Sequence, residues 1–247
     1  FLGYSLQTTR ALMRLLAAEP GTFVSVEVLD DVAVVTTSGT TTLEQTKSSA
    51  SGNPLADRSP EIWKTIANWV RVVEAGSVQA NQTTFEIFLS RKQHGRIAES
   101  FAAAKDETTA ASALGAAKES LWGAAPQHPK RSRVGATLAP HLDAVFGAPP
   151  TVVSAIVARL DLTFGKGTSA ADVASLLRSK LISEEAIPVV GNQMLGWTKT
   201  QIDTMLEQGQ PAIVAADAFN SELLAFVRKY GRFTSLNCMA PVPVPTA

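Results

Sequence analysis

The feature that most constrains the fold is a series of three short β-rich runs near the N-terminus. They occupy residues 23–29, 32–37 and 41–46. Asp30-Asp31 separates the first run from the second, and Ser38-Gly39 separates the second from the third. Runs rich in β-branched residues between such turn residues are typical of hairpin strands. The sequence therefore predicts an antiparallel meander of three strands.

Helical patterns lie on both sides of this meander. Residues 4–18 carry apolar side chains at helical spacing. Ser59 followed by Pro60 is typical of a helix start, with a capping side chain and proline at the first helical position. A fourth strand is predicted at 84–90. The order helix–strand–strand–strand–helix–strand predicts the α/β (α+β) class.

Beyond residue 90 the sequence predicts helices and no strand of comparable strength, with 151–157 ambiguous between the two. The predicted helices are 97–105, 108–122, 138–146, 151–160, 169–181, 186–195, 198–208 and 217–230. We therefore expect one domain at 1–136 and a mainly helical region at 137–247. The end of that region, Ala-Pro-Val-Pro-Val-Pro-Thr-Ala, has the composition of a linker, so we expect a further domain after it.

Composition excludes several classes of protein. The 247 residues include 45% hydrophobic residues, which is typical of a globular chain with a sizeable core. No run of 18 apolar residues is present, and Arg10 and Arg14 interrupt the apolar N-terminal stretch, so neither a membrane span nor a signal peptide is predicted. The single cysteine, Cys238, excludes an internal disulfide. We expect a cytoplasmic protein without a membrane partner.

Charge is uneven although 22 basic residues balance 22 acidic ones. Residues 91–133 hold eight Lys or Arg against four Asp or Glu. Such a local excess favours a polyanion such as DNA, although an ordinary solvated surface gives the same pattern. The residues predicted to bind DNA are Arg91, Lys92, Arg96, Lys130, Arg131 and Arg133.

The polar residues of the meander form a pattern that suits phosphodiester hydrolysis. Glu27, Asp30 and Asp31 cluster at the first hairpin. Gln45 and Lys47 are two apart on the third strand, so both face the same side of the sheet. A carboxylate and an amide oxygen suit Mg²⁺, which polarises a phosphate and helps to generate hydroxide. A nearby lysine stabilises the negative charge of the transition state.

Each of these residues also has a purely structural interpretation. Asp30 and Asp31 are common turn residues, and Gln45 with Lys47 is typical of the polar face of an edge strand. A shift of one residue in register would make Glu44 the ligand, but the spacing from Glu44 to Lys47 does not keep both on one face. We therefore prefer Gln45.

Four segments together carry a resemblance to a known family. They are Gly3-Tyr4 with Gln7, Glu27-x-x-Asp30-Asp31-Val32, Leu43-x-Gln45-x-Lys47, and Trp63-Lys64-Thr65-x-x-Asn68-Trp69. In this order they resemble the PD-(D/E)xK nuclease superfamily over residues 2–95. The closest likeness is to the double-stranded DNA nuclease domain of bacterial antiphage-defence proteins. Members of that branch are fused or coupled to cyclic-oligonucleotide sensors, STAND-type NTPases or HerA-like ATPases.

The resemblance implies a restriction-endonuclease-like αβββαβ core and a role for each matching residue. Asp31 would be the principal metal ligand and Lys47 the catalytic lysine. Gln45 would be a second ligand, at the position where the superfamily more usually has an acidic residue. Glu27 and Gln7 would be accessory groups at the catalytic site. The cofactor would be Mg²⁺, with Mn²⁺ as an alternative ion.

The function that follows is a metal-dependent endonuclease acting on duplex DNA with little sequence specificity, in antiphage defence. We expect control by homo-oligomerisation, and a partner ATPase or cyclic-oligonucleotide sensor. The alternative is a non-catalytic assembly or docking module whose functional part is the helical region after 137. The zero net charge and the proline-rich end favour that alternative.

Other motifs carry little weight. Residues 165–169, Gly-Lys-Gly-Thr-Ser, superficially resemble a P-loop but lack the glycine four residues before a Gly-Lys pair. The three histidines show no metal-ligand spacing. Trp63 and Trp69 are predicted to be core residues of the helix that begins at Pro60, and not platforms for stacked bases.

Overall fold

The computed structural model describes residues 2–48 and 52–237, and it describes side chains over 6–48 and 52–230. The side chain of Tyr4, the residue Cys238 and the proline-rich segment 240–247 lie outside these ranges. The helices are α1 (Leu2–Ala17), α2 (Pro60–Glu74), α3 (Arg96–Ala103), α4 (Glu107–Trp122), α5 (Ala139–Gly147), α6 (Pro150–Val157), α7 (Ser169–Ser179), α8 (Ile187–Glu207) and α9 (Ala216–Asn237). The strands are β1 (Phe23–Val26), β2 (Val32–Val35), β3 (Thr41–Lys47), β4 (Thr83–Leu89), β5 (Leu160–Phe164) and β6 (Ala212–Ala215).

The strands form one mixed sheet of six strands in the order β5-β4-β3-β2-β1-β6. β1, β2 and β3 are antiparallel neighbours, so the predicted meander is confirmed. β3, β4 and β5 run parallel to one another, and β6 is antiparallel to β1. The mixed α/β class is therefore confirmed, and the order α1-β1-β2-β3-α2-β4 agrees with the predicted one.

The expectation of no strand after residue 90 is wrong. β5 and β6 lie in that region and form the two edges of the sheet. β5 has only five residues and β6 only four, and each is ordered by pairing with a strand far away in sequence. Such short runs carry little local signal. The division of the chain at residue 136 stays a prediction, and the sheet takes strands from both sides of it.

The helices follow the predicted pattern except that two predicted helices form one. Ser59 caps α2, because its Oγ accepts a hydrogen bond of 3.3 Å from the backbone N–H of Glu61. The ambiguous segment 151–157 is helical, within α6. The two helices predicted at 186–195 and 198–208 are one helix, α8, since Gly196 lies within it without breaking it. Over the described ranges, no helix is long and apolar enough to cross a membrane.

The two faces of the sheet pack against different helices. One face packs on α2 through Leu43, Phe85 and Ile87, in the same cluster as Trp63 and Trp69. The opposite face packs on α1, in a cluster that includes Leu12, Leu15, Val24, Val26 and Val32. Because side chains alternate along a strand, Leu43, Gln45 and Lys47 share the α2 side, and Glu44 lies on the α1 side.

Candidate active site

The loop between β1 and β2 brings two acidic residues to the end of β3. The backbone N–H of Glu27 donates to the carbonyl oxygen of Asp31 over 3.3 Å, which closes the hairpin. Glu27 has a φ of 55°, in the left-handed region that non-glycine residues seldom adopt. A backbone held in this way indicates that the loop constrains the position of its acidic side chains.

Asp31 is the centre of the site. Its Oδ2 accepts hydrogen bonds from the backbone N–H of Thr46 at 2.9 Å and from the Thr46 hydroxyl at 3.0 Å. The side-chain amide of Gln45 also donates to Asp31 Oδ2. Val32, directly after Asp31, pairs with Glu44 in the β2–β3 register, which explains why Asp31 meets the next residues of β3.

Gln7 connects the two acidic residues from the side of α1. Its Nε2 donates to Glu27 Oε1 at 2.6 Å and to Asp31 Oδ1 at 3.0 Å. Four of the predicted site residues, Gln7, Glu27, Asp31 and Gln45, are therefore within one hydrogen-bonded group. The convergence depends on the docking of α1, which residue spacing alone does not predict.

Lys47 lies beyond Gln45 on the same side of the sheet. Its Nζ is 3.0 Å from Glu61 Oε2, and the Lys47 side chain is only 12% exposed. Glu61 stands in the first turn of α2, and its hydrogen bond from Lys47 lowers the pKa of its carboxyl group. Sequence reasoning missed Glu61, since only the packing of α2 on the sheet brings it to Lys47.

Two clefts are lined by this part of β3. The first has a volume of about 440 Å³ and is lined by Glu27, Asp30, Asp31, Gln45 and Trp69, among others. The second has a volume of about 410 Å³, and its lining includes Lys47 and Glu61. The acidic group and the lysine thus each face a space large enough for part of a ligand.

Asp30 has a different environment from its neighbour Asp31. Its Oδ2 accepts a 2.5 Å hydrogen bond from the indole N–H of Trp69, and its Oδ1 accepts one of 2.9 Å from the backbone N–H of Asp31. Burial raises the pKa of Asp30 to about 6, although these hydrogen bonds oppose the rise. Trp69 is a core residue as predicted, and its bond to Asp30 is a contact that sequence reasoning missed.

Glu44 belongs to a separate charged cluster on the α1 side of the sheet. The side chain of Glu44 is 0% exposed, and its carboxylate pairs with the guanidinium groups of Arg10 and Arg14, each at 2.5 Å. Arg14 also pairs with Glu86 at 2.5 Å, and the Thr163 hydroxyl donates to Glu86 at 2.6 Å. Gln45, and not Glu44, is the residue that contacts Asp31.

The residues predicted to bind DNA are all exposed. Arg91 and Lys92 follow Ser90 after β4, at the end of the strand that pairs with Lys47. Arg96 and Lys130 meet at Ser120, because Arg96 donates to its hydroxyl at 2.9 Å and Lys130 to its carbonyl oxygen at 3.4 Å. The two predicted basic stretches are thus brought together at the end of α4.

Some of these cations already have partners. Arg96 pairs with Asp57 at 3.0 Å. Arg131 pairs with Asp143 at 2.9 Å and stacks over the ring of Trp122 with its central carbon 4.5 Å from the ring centroid. These contacts leave less of the charge of Arg96 and Arg131 available to an external anion than that of Arg91 or Lys92.

The residue types around Asp31 suit a hard cation once an amide oxygen faces the ion. Across residues 2–48 and 52–237, no three His, Cys, Asp or Glu side chains form a group suited to a metal ion. Two carboxylates and two amides converge here, and Mg²⁺ prefers oxygen ligands of both kinds. Both amides present Nε2 to the carboxylates, so the side chains of Gln7 and Gln45 would have to turn their oxygens toward a bound ion. Gln7 Oε1 is buried and accepts no hydrogen bond from the described residues. A buried acceptor without a partner is unfavourable, so a nearby cation would be stabilising.

Comparisons with protein-family models, with curated proteins and with solved structures found no match for this chain.

Proposed function

We propose that the chain is a metal-dependent endonuclease that hydrolyses phosphodiester bonds of duplex DNA with little sequence specificity. One observation carries the proposal. Glu27, Asp31 and Gln45 line one cleft, with Gln7 hydrogen-bonded to both carboxylates, and Lys47 follows on the same side of the sheet at a second cleft. Oxygen donors for a metal ion together with an ammonium group suit the hydrolysis of a phosphodiester.

Each residue has a specific role in this proposal. Asp31 and Gln45 would hold Mg²⁺ or Mn²⁺, with Glu27 and Gln7 supporting them. When bound, the ion polarises a phosphate oxygen and lowers the pKa of a coordinated water. Lys47 would stabilise the negative charge that develops on the phosphate, since its side chain is only 12% exposed and lines the second cleft.

The proposal includes a restriction-endonuclease-like core of the PD-(D/E)xK type. It is supported by the order α1-β1-β2-β3-α2-β4, which is the order that the resemblance implies. The position of Asp31 at the start of β2, with Gln45 and Lys47 at the end of β3, agrees with the same family pattern. We further propose a role in the cytoplasm in antiphage defence, with activity controlled by homo-oligomerisation or by a partner ATPase or cyclic-oligonucleotide sensor.

A second candidate function is a non-catalytic docking module. The observation that favours it is a set of exposed apolar side chains in the helical region. Leu181 after α7 is 94% exposed, and Leu224 on α9 is 50% exposed. Exposed apolar side chains of this size are more useful at a protein interface than on a free surface.

The deciding experiment is a cleavage assay on linear and supercoiled duplex DNA. We expect cleavage with Mg²⁺, no cleavage with EDTA, and a loss of about a hundredfold or more in Lys47→Ala. Lys64→Ala is the matched control, because Lys64 is an exposed lysine on the neighbouring α2. It should cleave like the parent protein.

Two outcomes would contradict the nuclease proposal. The first is cleavage that persists unchanged in folded Lys47→Ala, which would mean that another protein or another site is responsible. The second is no cleavage over a wide range of protein concentrations and in the full assembly, together with a stable ring or dimer that is independent of metal. That result would favour the docking module.

A further inference from the structure

A row of basic residues follows the carboxyl ends of the three parallel strands. Lys47 is the last residue of β3, Arg91 and Lys92 come one residue after the end of β4, and Lys166 comes shortly after β5. The carboxyl ends of neighbouring parallel strands lie together at one end of a sheet. These four cations therefore follow the carboxyl ends of β3, β4 and β5, beginning at the candidate active site.

Backbone contacts show how close the ends of the strands are. The N–H of Gly165 donates to the carbonyl oxygen of Leu89 at 2.8 Å, and the N–H of Ser90 donates to that of Lys47 at 3.4 Å. A side chain at residue 165 would have its Cβ 2.9 Å from the Ser90 carbonyl oxygen. Two strand spacings of about 4.8 Å make the row about 10 Å long. That length corresponds to roughly three nucleotides of one DNA strand at 3.4 Å each.

Lys47 is already paired with Glu61, so the charge in this row that is available to an anion comes from the other three cations. The Nζ of Lys166 donates to the Ser175 hydroxyl at 2.7 Å, which is a neutral partner. Asp172 is buried and accepts the backbone N–H of Lys166 at 2.8 Å, so its carboxylate offsets part of the local charge. Arg91 and Lys92 are exposed, and no ion pair involves them among the described residues. The remaining charge is positive and faces solvent.

The helix that follows Lys166 does not supply the anion site itself. Thr168 caps α7, and its hydroxyl already accepts the N–H of Ala171 at 3.2 Å. Lys166 is thus the group in the segment 165–169 that can reach an external phosphate. The segment that resembles a P-loop has no partner motif for a nucleotide, but it places a lysine beside the basic residues after β4.

We propose that Lys166 binds a backbone phosphate of duplex DNA, together with Arg91 and Lys92, and so extends the DNA contact from the active-site cleft to the β5 edge of the sheet. This inference rests on the proposed function, because it takes duplex DNA as the ligand. Because a lysine that contacts the phosphate backbone does not read the bases, its contribution to binding is the same for every DNA sequence. Such a contact suits an enzyme with little sequence preference.

The test is the affinity for a fluorescently labelled duplex, measured by anisotropy in EDTA so that no cleavage occurs, over a range of salt concentrations. We expect Lys166→Ala to reduce the salt slope of log K by about 0.9, which makes binding about eightfold weaker at 0.1 M salt and unchanged on extrapolation to 1 M. Lys166→Arg should restore binding. Lys105→Ala is the matched control, because Lys105 pairs with Asp161 near the opposite end of β5.

The outcomes separate this inference from the proposed function. Parent-like affinity and slope in Lys166→Ala would overturn the inference and leave the nuclease proposal standing. An equal loss in Lys105→Ala would also overturn it, because the effect would then be one of net charge. No binding of duplex DNA by the parent protein, even at low salt, would contradict the proposed function itself.

Discussion

The two sides of strand β3 treat neighbouring polar residues in opposite ways. On the α1 side, Glu44 is fully buried and paired with Arg10 and Arg14. On the α2 side, Gln45 is one residue farther along and contacts Asp31 at the border of an open cleft. The first arrangement neutralises charge and excludes solvent. The second leaves oxygen atoms beside a space that a ligand can enter.

This difference separates a structural role from a functional one more clearly than residue type does. Of the two candidates, Glu44 is the acidic residue and Gln45 a neutral amide. The Glu44 carboxylate nevertheless pairs with two arginines of α1 and so holds that helix to the sheet. A buried ion pair of this kind is costly to break, since removing one partner leaves an uncompensated charge in the interior. The acidic group at Asp31 is instead held by neutral donors.

The largest expected effect is on stability, at Glu44. Glu44→Gln leaves Arg10 and Arg14 with Glu86 as their remaining anionic partner. We expect the free energy of unfolding to fall by about 3 to 5 kcal/mol. Urea denaturation followed by circular dichroism measures this directly. A change below about 1 kcal/mol would contradict the view that the α1 side of β3 is a sealed structural cluster.

The sequence predicts the meander and α2 because their signals are local. Turn residues bound each strand, and Ser59 with Pro60 begins the helix. The outer strands are different, because β5 and β6 are defined by partners distant in the chain. Val24 pairs with Val214 across the β1–β6 ladder, a contact that no pattern around either residue could indicate.

A smaller effect is expected from the titration of Asp30. Its pKa is raised by burial from 3.8 to about 6, so the folded state binds a proton more readily than the unfolded state between these values. The contribution of Asp30 to stability is therefore fully present below pH 3.8 and is lost as the pH rises through 6. Asp30→Asn removes this dependence, since the neutral amide cannot ionise.

The measurement is the free energy of unfolding of both proteins in EDTA from pH 4 to pH 7. We expect the stability of the parent protein to decrease relative to that of Asp30→Asn by about 2 kcal/mol over this range. A parallel pair of pH profiles would show that Asp30 is ionised as easily in the folded protein as in the unfolded chain.

The candidate site was predictable only where it depends on the meander. The pairing of Val32 with Glu44 brings Asp31 and Gln45 together, and hairpin spacing alone suggests that contact. The contacts of Gln7, Glu61 and Trp69 depend on how α1 and α2 pack, so spacing could not show them. Gln7 was expected at the site through the family resemblance alone.

The smallest expected effect concerns Glu61, the ion-pair partner of Lys47. The Glu61 side chain is 53% exposed, and ion pairs of this kind contribute little because water screens them. Glu61→Gln should change the free energy of unfolding by less than about 1 kcal/mol. Thermal unfolding of Glu61→Gln and Glu44→Gln, measured under the same conditions, compares the two losses of stability directly. Equal destabilisation by the two variants would remove the distinction between the two sides of β3.

The most direct test of the distinction between the two sides of β3 compares two variants, Asp31→Asn and Glu44→Gln. The quantity measured is the initial rate of nicking of supercoiled DNA with Mg²⁺. The temperature is one at which circular dichroism shows both variants to be folded. We predict that Asp31→Asn loses about a hundredfold or more of the parent rate, because its carboxylate would hold the ion. Glu44→Gln should keep a rate close to that of the parent protein. Parent-like nicking by Asp31→Asn, or an equal loss in both variants, would contradict the assignment of the active site to the α2 side of β3.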